Sequence, residues 1–298
     1  MKKILYTILL VYLCFAEQVE ILNLPVGKSF SLAGEVSLVD SGAFSVVMNP
    51  SMLAMVQSGF NIEYNKILYF ADTSYDIFGF SFKERTAGVD NSVAVVLGKF
   101  TSGKIKVRNI EGELTGEEAE YSTTLAAFGF SSVLTSGKKY HLWLGLSGYG
   151  LRESINTNSQ YWGGNIGLLY LYRFGGDVFK SLKIGAVVRG LGTNSNLTHS
   201  EALGLELKRI KFIIGYENYI QKKLDDNLKF GISANVYSSK DLKNSVVLNL
   251  GYGLGNYIEI YSSGIGIKIN RIVFDYSFTQ HKYLGNLHGL LVSIKLTH

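Results

Sequence analysis

The chain has 298 residues, 47% hydrophobic and 13% aromatic, with only 18% charged, 33 glycines and 2 prolines. That balance excludes a disordered chain, and a single cysteine excludes a disulfide scaffold. A net charge of +5, without a Lys/Arg run or a nucleic-acid motif, leaves no footprint for nucleic-acid binding.

Met1-Lys2-Lys3 is a short basic lead, and Ile4 to Phe15 is apolar and uncharged. Cys14-Phe15-Ala16 then offers small residues at −3 and −1, so residues 1–16 are expected to be a signal peptide cleaved before Glu17. The alternatives are an uncleaved anchor, for which the stretch is short, and a lipoprotein, for which Leu13 is large. Cleavage would leave a cysteine-free chain at +3 (5 minus 2 lysines). Residues 17–57 form an N-terminal segment, in which Asn49–Val56 is apolar with Pro50 near its start. A first turn tolerates proline, so a short helix carrying Asn49, Pro50 and Leu53 is expected there.

From residue 58 onward the pattern has period two. Leu182, Ile184, Ala186 and Val188 alternate with Lys183, Gly185, Val187 and Arg189. Leu228, Phe230, Ile232 and Ala234 alternate with Lys229, Gly231, Ser233 and Asn235. The predicted strands are 59–67, 75–83, 91–100, 119–131, 140–152, 160–172, 182–191, 199–207, 210–219, 227–237, 245–252, 262–269, 272–279 and 288–297. Lys208-Arg209 and Asn270-Arg271 are two-residue turns after even strands, whereas 101–118 is a long charged connection after an odd one. Short turns at one end and longer loops at the other mark an outer-membrane barrel. The reading is all-β: a 14-stranded antiparallel transmembrane β-barrel over 58–298. A soluble β-sandwich is the alternative, but its outward face would be charged.

In a barrel the non-apolar face lines the lumen. Its charges are Lys183, Arg189, Glu206, Lys211, Glu217, Lys229, Lys268, Asp275 and Lys295. Counting back from the tight turns places Glu206 opposite Lys211, and Lys268 opposite Val273 and diagonal to Asp275. These charges either favour anionic head groups or simply pair and fill a narrow lumen. Tyr140, Trp162, Tyr170, Tyr172, Tyr216, Tyr276 and Tyr283 suit interfacial girdles.

No catalytic residue, metal site or cofactor is expected. None of the five histidines has a second His or a Cys at ligand spacing, G-x-S-x-G is absent, and Asp225-Asp226-Asn227 lacks the acidic closer of a calcium loop. His288 with Ser277 or Asp275 is the one conceivable hydrolytic grouping, with a polar rim residue as the plainer reading.

Three stretches resemble the PorV/PorQ family of outer-membrane barrels, itself similar to FadL-type barrels. Residues 41–54 (SGAFSVVMNPSMLA) look like its GGAF…WNPAGLA segment. Gly167-Leu168-Leu169-Tyr170 with residues 182–192 (LKIGAVVRGLG) looks like GLLYR…LGVVVRNLG. Residues 264–288 carry GIGI, FDYSF and LGNLH, like GLGL…DYAF…LGNTHR. Ser51-Met52 and Gly190 depart from the pattern, and the chain ends Leu296-Thr297-His298 without a terminal aromatic. The resemblance implies a 14-stranded barrel in the bacterial outer membrane, its 49–56 helix a lumenal plug or periplasmic latch. It implies protein handling beside a secretion-system partner or exported cargo. The FadL likeness implies instead a conduit for hydrophobic small molecules. Outer-membrane lipid is the expected surrounding in either case.

Overall fold

The computed structural model describes residues 27–39, 42–68, 73–86, 89–108, 114–154, 158–192, 197–220, 226–255, 259–281 and 285–296. The expected signal peptide and Tyr283 lie outside them. Fourteen strands follow one another: β1 Gly59–Leu68, β2 Ser74–Thr86, β3 Val89–Arg108, β4 Leu114–Ser136, β5 Tyr140–Ser154, β6 Asn158–Arg173 and β7 Phe179–Gly192. They continue as β8 Thr198–Leu207, β9 Ile210–Tyr219, β10 Asn227–Ser238, β11 Asn244–Leu254, β12 Glu259–Ile269, β13 Ile272–His281 and β14 Gly285–Leu296.

Each strand pairs antiparallel with its sequence neighbours, and β1 pairs with β14 from Phe60↔Leu296 to Leu68↔His288, closing the barrel. Closure leaves no unpaired edge, which is what a sheet in lipid requires. The alternation decides which face is which. Phe212 and Ile214 are exposed on the outside of β9, while Ile213 between them is buried inside. The same holds for Phe78 and Phe80 on β2, Ile232 on β10, and Ile265 and Ile267 on β12, which builds an apolar outer belt. So large an exposed apolar surface is a membrane-facing one.

The 101–118 connection departs from expectation. β3 runs on to Arg108 and β4 starts at Leu114, giving strands of 20 and 23 residues whose ladder continues through Lys104↔Glu120 and Lys106↔Glu118. A tilted spanning strand needs only about 9–11 residues, so this hairpin extends past the apolar belt.

Residues 28–39 and 42–56 lie inside the barrel. They hold three short 3₁₀ helices, Gly27–Leu32, Gly42–Val46 and Pro50–Met55. The first ends where Ala33 (φ 56°) and Gly34 (φ 73°) turn left-handed, and the Gly34 N–H donates to the Ser29 carbonyl at 2.8 Å. The expected helix at Asn49–Val56 is therefore a 3₁₀ helix with Asn49 as its N-cap and Pro50 in its first turn.

Candidate functional site: the occupied lumen

The inner segment runs around the wall rather than down the axis, and it rests on glycines. A Cβ added at Gly264 (β12) would come within 2.6 Å of the Ser31 Cβ, and one at Gly251 (β11) within 2.5 Å of the Ala33 nitrogen. At Gly129 (β4) and Gly79 (β2) the distances would be 2.8 Å to Val46 and 2.7 Å to Ala43. Added carbons at Gly185 (β7), Gly167 (β6) and Gly145 (β5) would overlap Ser37, Asn49 and Ser51 outright. The glycine-rich inner face of the strands is thus a groove, cut to the depth of one polypeptide, and the segment lies in it.

Polar side chains of the wall hold the segment by its backbone. Lys229 donates to the Gly34 carbonyl at 2.8 Å, Lys211 to that of Leu38 at 3.1 Å, and Lys83 to that of Ala54 at 2.5 Å. The Glu63 carboxylate accepts from the Ala43 N–H at 2.7 Å, and the Ser262 hydroxyl accepts from the Ala33 N–H at 2.8 Å. Asn165 donates to the Val46 and Val47 carbonyls at 3.2 and 3.4 Å, and its oxygen accepts from the Gly190 N–H at 3.2 Å. At that point Arg189 and Gly190 of β7 face Asn165 alone across β6, a bulge that Gly190 permits with φ 80°. Within the segment, Asn49 donates to the Ser37 carbonyl at 2.8 Å and caps Ser51. Leu53 is wholly buried.

The charges expected in the lumen fall into three groups. Glu217 is buried between Arg189 and Lys229, and both cations pair with its carboxylate. Lys183 lies 3.7 Å from Glu206, which also accepts from the Ser181 hydroxyl at 2.8 Å. The register Glu206↔Lys211 is as counted, yet the Lys211 ammonium also reaches past it to the inner segment. Lys268 faces Val273 as counted and donates to the Leu242 carbonyl at 3.4 Å. With Asp275 and Lys295 it lines a cavity of about 70 Å³ at the short-turn end, beside Lys28 and Glu63.

His288 lies on the face opposite Ser277 and Asp275. Its ring lies against Phe278, its Nδ1 is 2.8 Å from the Tyr276 hydroxyl on the outer face, and the Ser277 hydroxyl points inward to the Gly289 carbonyl. The hydrolytic grouping is thereby overturned, because strand alternation sends residues 276 and 277 to opposite faces.

The second feature of the lumen is one that counting charges missed. Toward the long-loop end, the inner faces of β1–β6 and β14 are apolar and aromatic: Ile67, Tyr75, Ile77, Val96, Leu125, Tyr149, Leu151 and Leu287 are all buried. They form one cluster with Phe44, Val46 and Val47 of the inner segment, and Phe100 and Tyr161 pack against it. Phe100 meets Tyr121 edge-on at 5.9 Å, and the Tyr121 hydroxyl donates to Glu153 at 3.0 Å. The signal in the sequence was a loss of alternation. Residues 93–97 (VAVVL) and 125–128 (LAAF) are apolar on both faces.

No family model matches the chain, and no curated protein matches it. Solved structures do. The Ralstonia pickettii toluene transporter TbuX superposes with a TM-score of 0.60 at 12% identity, covering 94% of this chain and 100% of the other. The Pseudomonas putida toluene transporter TodX gives 0.60 at 11%, covering 94% and 99%. The monoaromatic hydrocarbon channel CymD gives 0.50 at 12%, covering 93% and 99%. The fold is that of these hydrocarbon channels. At such identities the likeness is one of architecture, and activity has to be argued from the lumen.

Proposed function

We propose that the protein is a FadL-like conduit for hydrophobic small molecules in the bacterial outer membrane, with the enclosed residues 28–39 and 42–56 as its plug. The observation that carries this reading is the apolar and aromatic inner wall of β1–β6 and β14, which packs against the plug. A pore for ions or sugars would line that level with polar groups, whereas a hydrophobic solute gains by leaving water for such a surface. The fold shared with toluene transporters favours the same class of solute. The protein-handling role implied by the PorV/PorQ likeness draws no support from these neighbours.

In this reading the plug is both obstacle and gate. It occupies the groove, and its Phe44, Val46 and Val47 cover the apolar wall that a solute would meet. The lumenal lysines Lys211 and Lys229 hold carbonyl groups of the plug, so their role is to seat it. The signal peptide would deliver the chain to the membrane, and the outer belt would meet lipid.

The test is entry of a labelled monoaromatic compound into vesicles holding the purified protein. An Ala33→Cys/Gly253→Cys pair would put two Cβ atoms 3.5 Å apart, within disulfide range, and tie the plug to β11. The wild type is expected to speed entry over bare vesicles, and the oxidised pair to abolish that gain until reduced. Entry no faster than through bare lipid would overturn the conduit. Unchanged entry through the oxidised pair would overturn the moving plug alone.

A further inference from the structure

The short-turn rim of the barrel is basic and greasy at once. Among the described residues, five connections join even strands to odd ones there, over 137–139, 174–178, 208–209, 239–243 and 270–271. They carry seven Lys or Arg against two acids, Asp177 and Asp241. One acid is engaged within its own turn: the Ser239 hydroxyl and then the Lys243 N–H donate to Asp241, and hold its carboxyl below the usual carboxylate range. Large apolar side chains share the same turns. Val178 is 61% and Leu242 69% exposed. A rim bathed only in water would not present such residues beside its lysines. A rim at the level of lipid head groups would, since cations reach phosphates while apolar neighbours reach acyl chains.

The two chemistries converge between the β10–β11 and β12–β13 turns. A hollow of about 810 Å³ opens there, lined by Lys243, Lys268, Arg271 and Lys295 on its polar side and by Leu242 and Ile269 on its apolar side. Leu242 stands in the turn with φ 57°, which holds it out from the strand ends, and Ile269 is 52% exposed. Lys268 and Lys295 also line the inner cavity beside Asp275 and Glu63, which leaves Lys243 and Arg271 against the carboxylate of Asp241 among the described residues of this hollow.

We propose that this hollow binds an anionic phospholipid of the leaflet at the short-turn end, its phosphate between Lys243 and Arg271 and an acyl chain along Leu242 and Ile269. The chemistry recognised is a phosphate monoanion. The adjoining exposed apolar residues commit the site to a lipid rather than to a free anion or a soluble acidic protein. The inference rests on the membrane barrel alone and is independent of what passes through the lumen.

The test compares thermal unfolding of the barrel, read by its heat-dependent migration in gels, in phosphatidylcholine vesicles with and without phosphatidylglycerol. Phosphatidylglycerol is expected to raise the midpoint by about 5 °C, and high salt to remove most of that gain. The exposed-rim variant Lys243→Gln/Arg271→Gln should lose at least half of the gain while keeping the wild-type midpoint in phosphatidylcholine. Lys208→Gln/Arg209→Gln, on another turn, should keep most of it. Native mass spectrometry from mild detergent should show phosphatidylglycerol retained by the wild type and lost from the first variant. Equal midpoints in the two vesicles, a gain that survives Lys243→Gln/Arg271→Gln, or the same gain from excess inorganic phosphate without phosphatidylglycerol would each overturn the proposal.

Discussion

Along β1–β6 the inner wall toward the long-loop end is apolar, with Tyr75, Ile77, Val96, Leu125 and Tyr149. Along β7–β10 it is charged, with Lys183, Arg189, Glu217 and Lys229. The outer faces of the two halves are alike: Phe80 and Leu97 on one and Ile184 and Ile214 on the other are all exposed to the belt. The alternation thus fixes only the lipid face. The lumen face is free to vary, and it has been used in two ways. At this level one half grips the inner segment by dispersion and burial, the other by charge-assisted hydrogen bonds to backbone carbonyls, while nearer the short turns Glu63 and Lys83 of the first half also hold its backbone. The apolar grip depends on the side chains of the segment, whereas the hydrogen bonds from Lys211 and Lys229 reach its carbonyl groups.

The largest effect should come from breaking the charged half at its centre. Glu217→Ala leaves Arg189 and Lys229 buried without their shared carboxylate, and should cost about 3–5 kcal/mol in denaturant unfolding from vesicles. A loss under about 1 kcal/mol would mean that the two cations turn to water, and that the halves are less different than they look. In the apolar half, Leu125→Ala removes a buried side chain from the cluster and should cost about 2–3 kcal/mol. It should also raise hydrogen exchange at residues 43–47, which pack on that wall, more than at residues 33–38, which the lysines hold. Equal exchange at both stretches would contradict the division of labour. The smallest effect is expected at Lys183→Gln. The pair with Glu206 is wide at 3.7 Å, with Glu206 44% exposed, so the loss should stay under about 1 kcal/mol.

Much of the wall was legible in the sequence because strands in lipid leave a strict record. The expected 210–219 is Ile210–Tyr219, and the expected 140–152 is Tyr140–Ser154. Two-residue turns fix register arithmetically, so Glu206↔Lys211 could be counted. The record fails past the belt, where neither face of a hairpin has to be apolar, and the pattern of 101–118 reads as a loop although its strands pair. It also fails inside. Lys211 was placed on the lumen face, but its contact with the Leu38 carbonyl joins residues 173 apart and involves no side chain of the segment. The glycine groove hid for the same reason, since a missing side chain announces neither what fills its space nor from which part of the chain it comes. The 3₁₀ helix at Pro50–Met55 was visible through Pro50, whereas its place against Gly145 was not.

One carboxylate ties together two parts of the molecule. Glu63 sits on β1, accepts from the Ala43 N–H of the inner segment at 2.7 Å, and is met by the Ser293 hydroxyl of β14 at 3.4 Å. β1 and β14 form the seam, the last pairing available to a chain that zips its hairpins in order. A single side chain therefore couples what fills the barrel to the seam that closes it, and a substitution at Glu63 removes both contacts at once.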